Sequence, residues 1–287
     1  MCERALLQAY GIRPSKGLGQ HFLVDRRVLN KILAAADLDT DDLVLEIGPG
    51  AGVLTRALAE RAGHVIAVEL DQRLVALLAE TLADQSDIRI VHGDILKTDL
   101  GQLLASEWTD GQRPEFKLVA NLPYYITSAV LRHVLEAEIK PQLIVVTVQR
   151  EVAERIVARP GAMSLLSVSV QFFGSPHIVG RIPPSAFYPR PKVHSAVVRI
   201  EVYDSPRPPV ADVATFFNIV RAGFAHRRKQ LRNTLSHELR LATPEIAAAL
   251  SQAGIDPRRR AQSLSLEEWG QVYHALMPLL SGNGWTS

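Results

Sequence analysis

A strand that runs directly into a glycine-rich turn, followed at once by a helix, constrains this chain more than any other feature. The predicted strand is Leu43–Ile47, the turn reads G-P-G-A-G from Gly48 to Gly52, and the helix covers Gly52–Arg61. Glycine allows a sharp turn and a close approach of the backbone to a ligand. The spacing differs from the G-x-G-x-x-G of pyrophosphate-binding turns, and Pro49 lacks the N–H that a phosphate would bind. We therefore expect a ligand with an uncharged ribose and an amino-acid-like part, the alternative being a tight turn with no ligand.

The central part of the chain alternates short apolar runs with helical patterns. Strands are predicted at His64–Leu70, Ile88–Val91, Phe116–Ala120 and Leu143–Val148, and helices from Asp71 to about residue 83 and over Ser128–Glu136. This alternation predicts a parallel sheet covered by helices on both faces. The continuous apolar run at Leu143–Val148 is typical of a strand buried on both sides. The predicted fold class is therefore α/β.

The pattern changes in the second half of the chain. Three strand-like runs predict antiparallel strands that finish the sheet: Leu165–Phe173, His177–Ile182 and Val193–Val202. Three prolines between Asp204 and Pro209 resist both helix and sheet and indicate a linker. Helical spacing follows at Ala211–Ala225, Arg227–Arg240, Pro244–Ala253 and Leu266–Leu280. We predict one domain over residues 1–203 and a small all-α domain over residues 204–287.

Composition limits the class of protein. The chain has 287 residues, of which 47% are hydrophobic, so it has enough apolar material for a core and is not expected to be disordered. Its one cysteine, Cys2, excludes an intramolecular disulfide and indicates a reducing compartment. The first thirty residues lack a continuous apolar run, and no apolar stretch reaches 18 residues, which disfavours secretion and membrane spanning. We expect a cytoplasmic protein with no membrane association.

Basic residues are unevenly distributed although the net charge is only +2. Residues 221–232 contain no acid and five cations, namely Arg221, Arg227, Arg228, Lys229 and Arg232. Such runs, separated by a near-neutral middle, indicate contact with a polyanion. A solvated helix face explains the charge equally well. The histidines, among them His226 and His237, show no paired ligand spacing on one helix, so we expect no metal site.

Acidic residues follow the next two predicted strands. Glu69 ends the run that begins at His64, and Asp94 follows the run Ile88–Val91. Ligands of open α/β sheets bind beyond the carboxyl ends of the strands, where an acid can accept hydrogen bonds from both ribose hydroxyls. We therefore predict that Glu69 binds a ribose and that Asp94 accepts from an adenine amino group. Exposed acids at strand ends are the alternative.

The fourth strand ends in Asn121-Leu122-Pro123-Tyr124. Methyl transfer to the exocyclic amine of a base needs acceptors that hold the amine hydrogens, because the lone pair of that nitrogen is delocalised into the ring. The side-chain oxygen of Asn121 and the carbonyl of Leu122 can supply them, and Pro123 fixes the turn. Tyr124 can stack on a base taken out of its helix. A proline turn with an aromatic residue packed on it is the alternative.

These motifs, in this order, make the chain similar to the ribosomal RNA adenine N6-dimethyltransferases, in particular those of the small subunit. The resemblance covers nearly the whole chain. It is carried by Lys16–Leu23, Leu45–Gly52 with Glu69, Gly93-Asp94, Asn121–Tyr124, Phe187–Val193 with Ser195, and Phe224 followed by Arg227–Lys229. It implies a Rossmann-like S-adenosylmethionine-dependent methyltransferase sheet and a helical RNA-docking domain.

The resemblance also implies roles for individual residues. It places cofactor contacts at His21, Leu23, Gly48, Glu69, Asp94 and Asn121. It places the acceptor site at Asn121, Leu122, Pro123 and Tyr124, with Phe187 and Tyr124 on either side of the target adenine. Arg221, Arg227, Arg228 and Lys229 would contact RNA. His21 stands where the family usually has Asn, and His194 stands where it usually has Asp.

The function that the resemblance implies is dimethylation of N6 on two adjacent adenosines in a hairpin loop near the 3′ end of 16S rRNA. The expected partner is the 30S subunit, whose biogenesis the reaction would serve, and the expected enzyme is a monomer. One alternative is a large-subunit methyltransferase of the macrolide-resistance type, which the segments Gly223–Leu235 and Phe187–Lys192 disfavour. The other is a non-catalytic RNA-binding assembly factor on the same fold, which the intact Asn121–Tyr124 motif disfavours.

Overall fold

The structure, a computed structural model, describes residues 3–107 and 115–282. Up to residue 121 it contains α1 (Glu3–Ala9), β1 (Phe22–Leu23), α2 (Arg26–Ala36), β2 (Leu43–Ile47), α3 (Val53–Ala59), β3 (His64–Glu69), α4 (Gln72–Thr81), β4 (Ile88–His92), α5 (Leu100–Leu103) and β5 (Phe116–Asn121). The remainder contains α6 (Thr127–Glu136), β6 (Leu143–Gln149), α7 (Arg150–Ile156), α8 (Leu165–Gln171), β7 (Gly174–Ile182), β8 (Phe187–Tyr188), β9 (Ser195–Val202), α9 (Val213–Phe224), α10 (Leu231–Leu239), α11 (Thr243–Gln252) and α12 (Leu266–Gly282).

The first compact unit, formed by Met1–Ala153 and Pro176–Val202, is built on a seven-stranded sheet. Its strand order is β4-β3-β2-β5-β6-β9-β7. The first five strands run parallel, with Val44 opposite Val65 in β3 and Leu45 opposite Leu118 in β5, and β9 is antiparallel to β6. The predicted α/β sheet is therefore confirmed. Because the chain goes from β2 to one side and later returns to its other side, the sheet has a switch point between β2 and β5.

Apolar side chains hold helices against this sheet. On one face, Val44 and Val145 pack with Ile32 of α2 and Leu58 of α3, and all four are almost completely buried. Helix α2 starts at Asp25, whose carboxylate accepts a hydrogen bond from the backbone N–H of Arg27 at 2.9 Å. Helix α4 starts in the same way at Asp71, the predicted N-cap. These contacts fix the positions of the strand ends that form the site.

The second compact unit consists of Glu154–Ser175 and Tyr203–Ser287 and is helical. The ring of Phe172 stacks on that of Phe216 at 4.5 Å, and the Tyr203 N–H donates to the Phe173 carbonyl at 2.8 Å. These contacts tie residues 154–175 to the helices that follow the proline-rich segment. The predicted domains were residues 1–203 and 204–287. In the structure, residues 154–175 and Tyr203 also belong to the helical unit, and residues 154–175 are remote in sequence from the rest of it.

Two predicted elements are wrong. Leu165–Phe173 was expected to be a strand, but α8 forms there because Ser164 and Ser167 make reciprocal side-chain to backbone hydrogen bonds of 3.2 and 2.9 Å that cap a helix. The helix predicted over Arg227–Arg240 begins only at Leu231. Residues 225–230 form a loop, because the N–H of Leu231 donates to the distant carbonyl of Arg259 at 2.7 Å.

Candidate active site

A cavity lies at the carboxyl ends of β2, β3, β4 and β5, at the switch point of the sheet. It is lined by the strand ends and by the segment before β1, including Gln20, His21, Leu23, Glu46, Gly48, Gly50, Glu69, Asp94 and Asn121–Tyr124. Open α/β sheets bind their ligands at this place. The cavity therefore brings together residues from five separate parts of the sequence.

The glycine turn has the backbone that the sequence predicts. Gly48, Gly50 and Gly52 all have positive φ, at 69°, 63° and 85°. At Gly52 an added Cβ would lie 2.8 Å from the Cδ2 atom of Leu78, so a side chain is also excluded by packing. The turn is held to the neighbouring strand, because the Gly48 N–H donates to the Val68 carbonyl at 2.9 Å. Residues other than glycine would strain this turn.

Glu69 is 6% exposed and is held by two backbone donors. Its Oε1 accepts from the N–H of Asp71 at 2.9 Å, and its Oε2 accepts from the N–H of Gly50 at 3.2 Å. Burial raises its pKa, although the two hydrogen bonds act in the opposite direction. A carboxylate has about four lone-pair sites, so each oxygen can accept a further hydrogen bond from a ligand. The geometry fits a residue that binds two hydroxyls.

Glu46 is a second buried acid on the cavity wall, and no role was predicted for it. It is 1% exposed, and its Oε2 has no hydrogen-bond partner among the residues that the structure describes. Burial, with the neighbouring charge of Glu69, raises its pKa to about 8. The signal in the sequence was an acid within the otherwise apolar strand Leu43–Ile47. A buried oxygen without a partner is costly, so a donor or a cation in the cavity would stabilise it.

Asp94 lies at the end of β4, where it caps a short 3₁₀ helix over Ile95–Lys97. Its Oδ1 accepts from the N–H of Leu96 at 3.1 Å, which fixes the side chain at the cavity. The predicted contact with an adenine amino group is compatible with this position and stays a prediction.

Asn121 ends β5 with its amide fixed. The side-chain Nδ2 donates to the backbone carbonyl of His21 at 3.0 Å, so the Oδ1 atom points to the other side of the amide. Leu122 is almost completely buried, and the N–H of Ile126 donates to the Pro123 carbonyl at 3.2 Å, which closes the turn before α6. The residues at the end of β5 thus present an amide oxygen in a defined orientation.

Tyr124 is held at both its ring and its hydroxyl. The hydroxyl is 2.6 Å from the Oγ of Ser195, and burial raises the pKa of Tyr124. The His21 ring stacks on the Tyr124 ring with centroids 5.5 Å apart. The Nδ1 of His21 lies 2.7 Å from the carbonyl oxygen of Pro189, so Nδ1 carries the proton, because a carbonyl only accepts. No spacing or motif in the sequence indicates this contact between His21 and Tyr124.

Phe187 does not line the cavity, although it pairs with the predicted site residue Leu23. It is opposite Leu23 in the two-stranded pairing of β1 with β8, and it is 3% exposed within an apolar cluster that includes Ile32. Leu23 lines the cavity, whereas Phe187 is not among the described residues that line it. The stacking role of Phe187 therefore stays a prediction, and it requires this side chain to become accessible.

The predicted RNA-contacting residues lie in the second unit and are all exposed. Arg221 is in the last turn of α9, and its guanidinium donates to the Asn218 side chain at 2.5 Å. Arg227, Arg228 and Lys229 lie in the loop between α9 and α10. Three adjacent exposed cations in a loop can contact phosphates. Across residues 3–107 and 115–282, no helix is long and apolar enough to cross a membrane.

Comparison with known proteins assigns this arrangement to a family. The sequence matches the ribosomal RNA adenine dimethylase family over residues 13–277. It is 51% identical over 266 residues to ribosomal RNA small subunit methyltransferase A of Dehalococcoides mccartyi, which covers 93% of this chain and 89% of the relative. It is 44% identical over 276 residues to the protein of the same name from Moorella thermoacetica, covering 95% of this chain and 96% of the relative.

Solved structures give the same fold. A dimethyladenosine transferase from Plasmodium falciparum superposes with a TM-score of 0.74 at 23% identity, covering 92% of this chain and 98% of that one. The 23S rRNA methyltransferase ErmE superposes with a TM-score of 0.68 at 30% identity, covering 89% and 99% of the two chains. Both similarities extend over the sheet and the helical unit alike.

Proposed function

Because the chain belongs to the ribosomal RNA adenine dimethylase family, we propose that it dimethylates N6 of two adjacent adenosines in the hairpin loop near the 3′ end of 16S rRNA. It is an S-adenosylmethionine-dependent rRNA adenine dimethyltransferase. The observation that carries the proposed site is the amide of Asn121, which is fixed by the His21 carbonyl beside a cavity that also contains Glu69 and Asp94.

The cavity fits S-adenosylmethionine. The glycine turn leaves room for close approach, and three acidic side chains line the cavity, namely Glu46, Glu69 and Asp94. The unpartnered Oε2 of Glu46 matches a ligand that carries an ammonium and a sulfonium. We assign the ribose hydroxyls to Glu69 and the adenine amine to Asp94, with His21, Leu23 and Gly48 on the surrounding wall. When bound, this cofactor would supply a methyl group to a nucleophile that attacks the methyl carbon in line with the C–S bond, and the neutral thioether would be the leaving group.

Asn121 and Leu122 act on the acceptor amine. Oδ1 of Asn121 and the carbonyl of Leu122 accept the two N6 hydrogens and orient the nitrogen lone pair toward the methyl group. As the C–N bond forms, positive charge develops on N6, and a fixed oxygen dipole stabilises it without reorganising. The His21 carbonyl is essential to this geometry because it holds the amide nitrogen away from the reacting centre.

Tyr124 provides the stacking surface for the adenine. Its hydroxyl bond to Ser195 fixes the plane of the ring, and Pro123 fixes the backbone before it. We propose that the base either displaces the His21 ring or stacks on the opposite face of Tyr124, and that Phe187 closes the other side of the base. A flipped base is held by such contacts after it has left its own stack.

The helical unit is proposed to dock on the 30S subunit through Arg221, Arg227, Arg228 and Lys229. These exposed cations are suited to bind phosphates, which fixes orientation but carries no sequence information. We propose that the enzyme acts as a monomer in the cytoplasm and serves maturation of the small subunit. Its relatives in Dehalococcoides mccartyi and Moorella thermoacetica carry a small-subunit name, which favours this target.

One experiment separates the candidate targets. The protein is incubated with labelled S-adenosylmethionine and with unmethylated 30S or 50S subunits, and the modified bases are mapped. Dimethyladenosine at two adjacent positions near the 3′ end of 16S rRNA is the expected result. Modification of the large subunit alone would assign the protein to the function of ErmE, its 30% identical structural neighbour. Binding without transfer to either subunit would identify a non-catalytic assembly factor.

A further inference from the structure

Two histidines and a glutamate meet on the helical unit, outside the methyltransferase site. His226 lies in the loop after α9, and His237 and Glu238 lie near the end of α10. The Nε2 of His226 is 3.1 Å from Oε1 of Glu238, and the Nδ1 of His237 is 2.9 Å from the same oxygen. The three ligand atoms all lie within 4.8 Å of one another. His226 and the adjacent pair His237 and Glu238, eleven positions later, thus direct three donor atoms toward one point.

We propose that His226, His237 and Glu238 bind a divalent transition-metal ion of the zinc type. Zinc binds imidazole nitrogen at about 2.0–2.1 Å and carboxylate oxygen at about 2.0–2.2 Å, which places ligand atoms of a tetrahedral site roughly 3.4 Å apart. Two of the three pairs are already close to that separation. The third closes by rotation of His237, whose side chain is 72% exposed and free to turn. Water completes the coordination.

Backbone hydrogen bonds hold the C-terminal end of the loop that carries His226. The N–H of Lys229 donates to the carbonyl of His226 at 3.0 Å, and the N–H of Leu231 donates to the Arg259 carbonyl at 2.7 Å. The N–H of Arg232 donates to the Pro257 carbonyl at 3.2 Å. Because the C-terminal end of the loop is already held, an ion has to order only the side chains and the remaining loop backbone, which limits the entropy cost of binding.

The donor set also selects the class of ion. Two imidazoles and one carboxylate suit zinc, nickel, cobalt and copper, whereas magnesium and calcium prefer oxygen ligands. The ion takes the place of the two ring protons that now face Glu238, and each neutral imidazole then carries its single proton on its other nitrogen, after tautomer exchange through solvent.

The position of the site indicates what the ion does. His226 immediately precedes Arg227, Arg228 and Lys229, the basic residues of the same loop. An ion bound to His226, His237 and Glu238 links this loop to the C-terminal half of α10. It therefore fixes the backbone that carries the three cations. This role is independent of the chemistry in the methyltransferase cavity.

The test is titration of untagged protein with zinc chloride at pH 7.5 by calorimetry, in a Cys2→Ser background that removes the one thiol. His226→Gln, His237→Gln and Glu238→Gln should each weaken zinc affinity by about tenfold or more, since even outer-shell changes cost that much at metal sites. The matched control is His274→Gln, an exposed histidine on α12 of the same unit, which should bind zinc like the parent. Magnesium should give no binding that depends on these residues.

A second readout tests the loop itself. Zinc should slow amide hydrogen exchange in residues 225–230 of the parent protein and leave the exchange of His226→Gln unchanged. All three side chains are at least one-third exposed, so the variants are expected to fold. Equal zinc affinity in the parent, His226→Gln and His237→Gln overturns the proposal, and so does zinc binding that leaves exchange in the loop of the parent unchanged.

Discussion

The carboxyl group of Glu69 accepts hydrogen bonds from two backbone N–H groups and also faces the cavity. Replacing this side chain should therefore change the affinity for the cofactor. We expect Glu69→Ala to weaken S-adenosylmethionine binding by about 1.5–3 kcal/mol, because a charged acceptor for buried hydroxyls is lost. Calorimetry measures this directly. Glu60→Ala, which changes an exposed acid on the same unit, is the control. Wild-type affinity in Glu69→Ala would remove this residue from the ribose site.

The raised pKa of the buried Glu46 carboxyl should make the stability of the protein depend on pH. Its folded pKa of about 8 lies above the unfolded value of about 4.5, so between these values the folded protein holds a proton that the unfolded chain has lost. Stability then falls as the pH rises through this window, by up to about 1.4 kcal/mol per pH unit. Glu46→Gln cannot ionise and should gain stability relative to wild type from pH 5 to pH 8.

Urea unfolding of both proteins at several pH values measures the effect of Glu46. A difference in the free energy of unfolding that stays constant with pH would show that the carboxyl is already ionised when folded. Saturating S-adenosylmethionine should reduce the pH dependence of the wild type, because a cation beside Glu46 favours the carboxylate.

Asn121 is expected to act on the chemical step. Its oxygen is most useful when charge develops on N6, so Asn121→Ala should lower the rate by about 10²–10³ with smaller effects on binding of cofactor or RNA. Single-turnover methylation of 30S subunits measures the rate, and calorimetry measures the cofactor. A variant that loses cofactor affinity by the same factor would instead make Asn121 a binding residue.

Tyr124 should affect how long the base is held. Stacking contributes about 1–3 kcal/mol per base, so Tyr124→Ala should release the adenosine before the second transfer and accumulate monomethyladenosine. Tyr124→Phe is the matched variant, since it keeps the ring and removes only the hydrogen bond to Ser195. Mass spectrometry of the 3′ rRNA fragment gives the ratio. Dimethyladenosine at the wild-type ratio and rate in Tyr124→Ala contradicts the stacking role.

At the scale of elements, the basic loop between α9 and α10 is expected to determine how 30S binding depends on salt. Changing Arg227, Arg228 and Lys229 together to Gln should weaken 30S binding and reduce the slope of log K against log salt by roughly 2–3, about 0.7–0.9 for each lost phosphate contact. Cofactor affinity should stay unchanged, because none of these residues lines the cavity. Arg61 and Arg132, exposed cations of the other unit, serve as a control pair. A wild-type salt slope in the triple variant would mean that the loop does not dock RNA.

The local sequence was enough to predict the central strands, but not helix α8 or the start of helix α10. The central strands were predictable because they are short, mostly apolar runs that are buried in the sheet, as in Val65–Val68. Helix α8 was not, since Val168 and Val170 match a strand pattern, and the choice depended on the cap that Ser164 and Ser167 form together. The start of α10 depended on a hydrogen bond from Leu231 to Arg259, which is distant in sequence.

At the scale of the whole molecule, the sequence by itself determined the α/β sheet, the glycine turn and the line of polar residues at successive strand ends. These follow from neighbours in sequence and from the rule that parallel strands present their carboxyl ends at one edge. Only the tertiary structure decided that residues 154–175 join the helical unit, that Phe187 is buried beside Leu23, and that His21 lies on Tyr124. It alone brought His226 to Glu238. The physical reason is the same in each case: packing and hydrogen bonds between segments far apart in the chain leave no periodicity or spacing in the sequence to read.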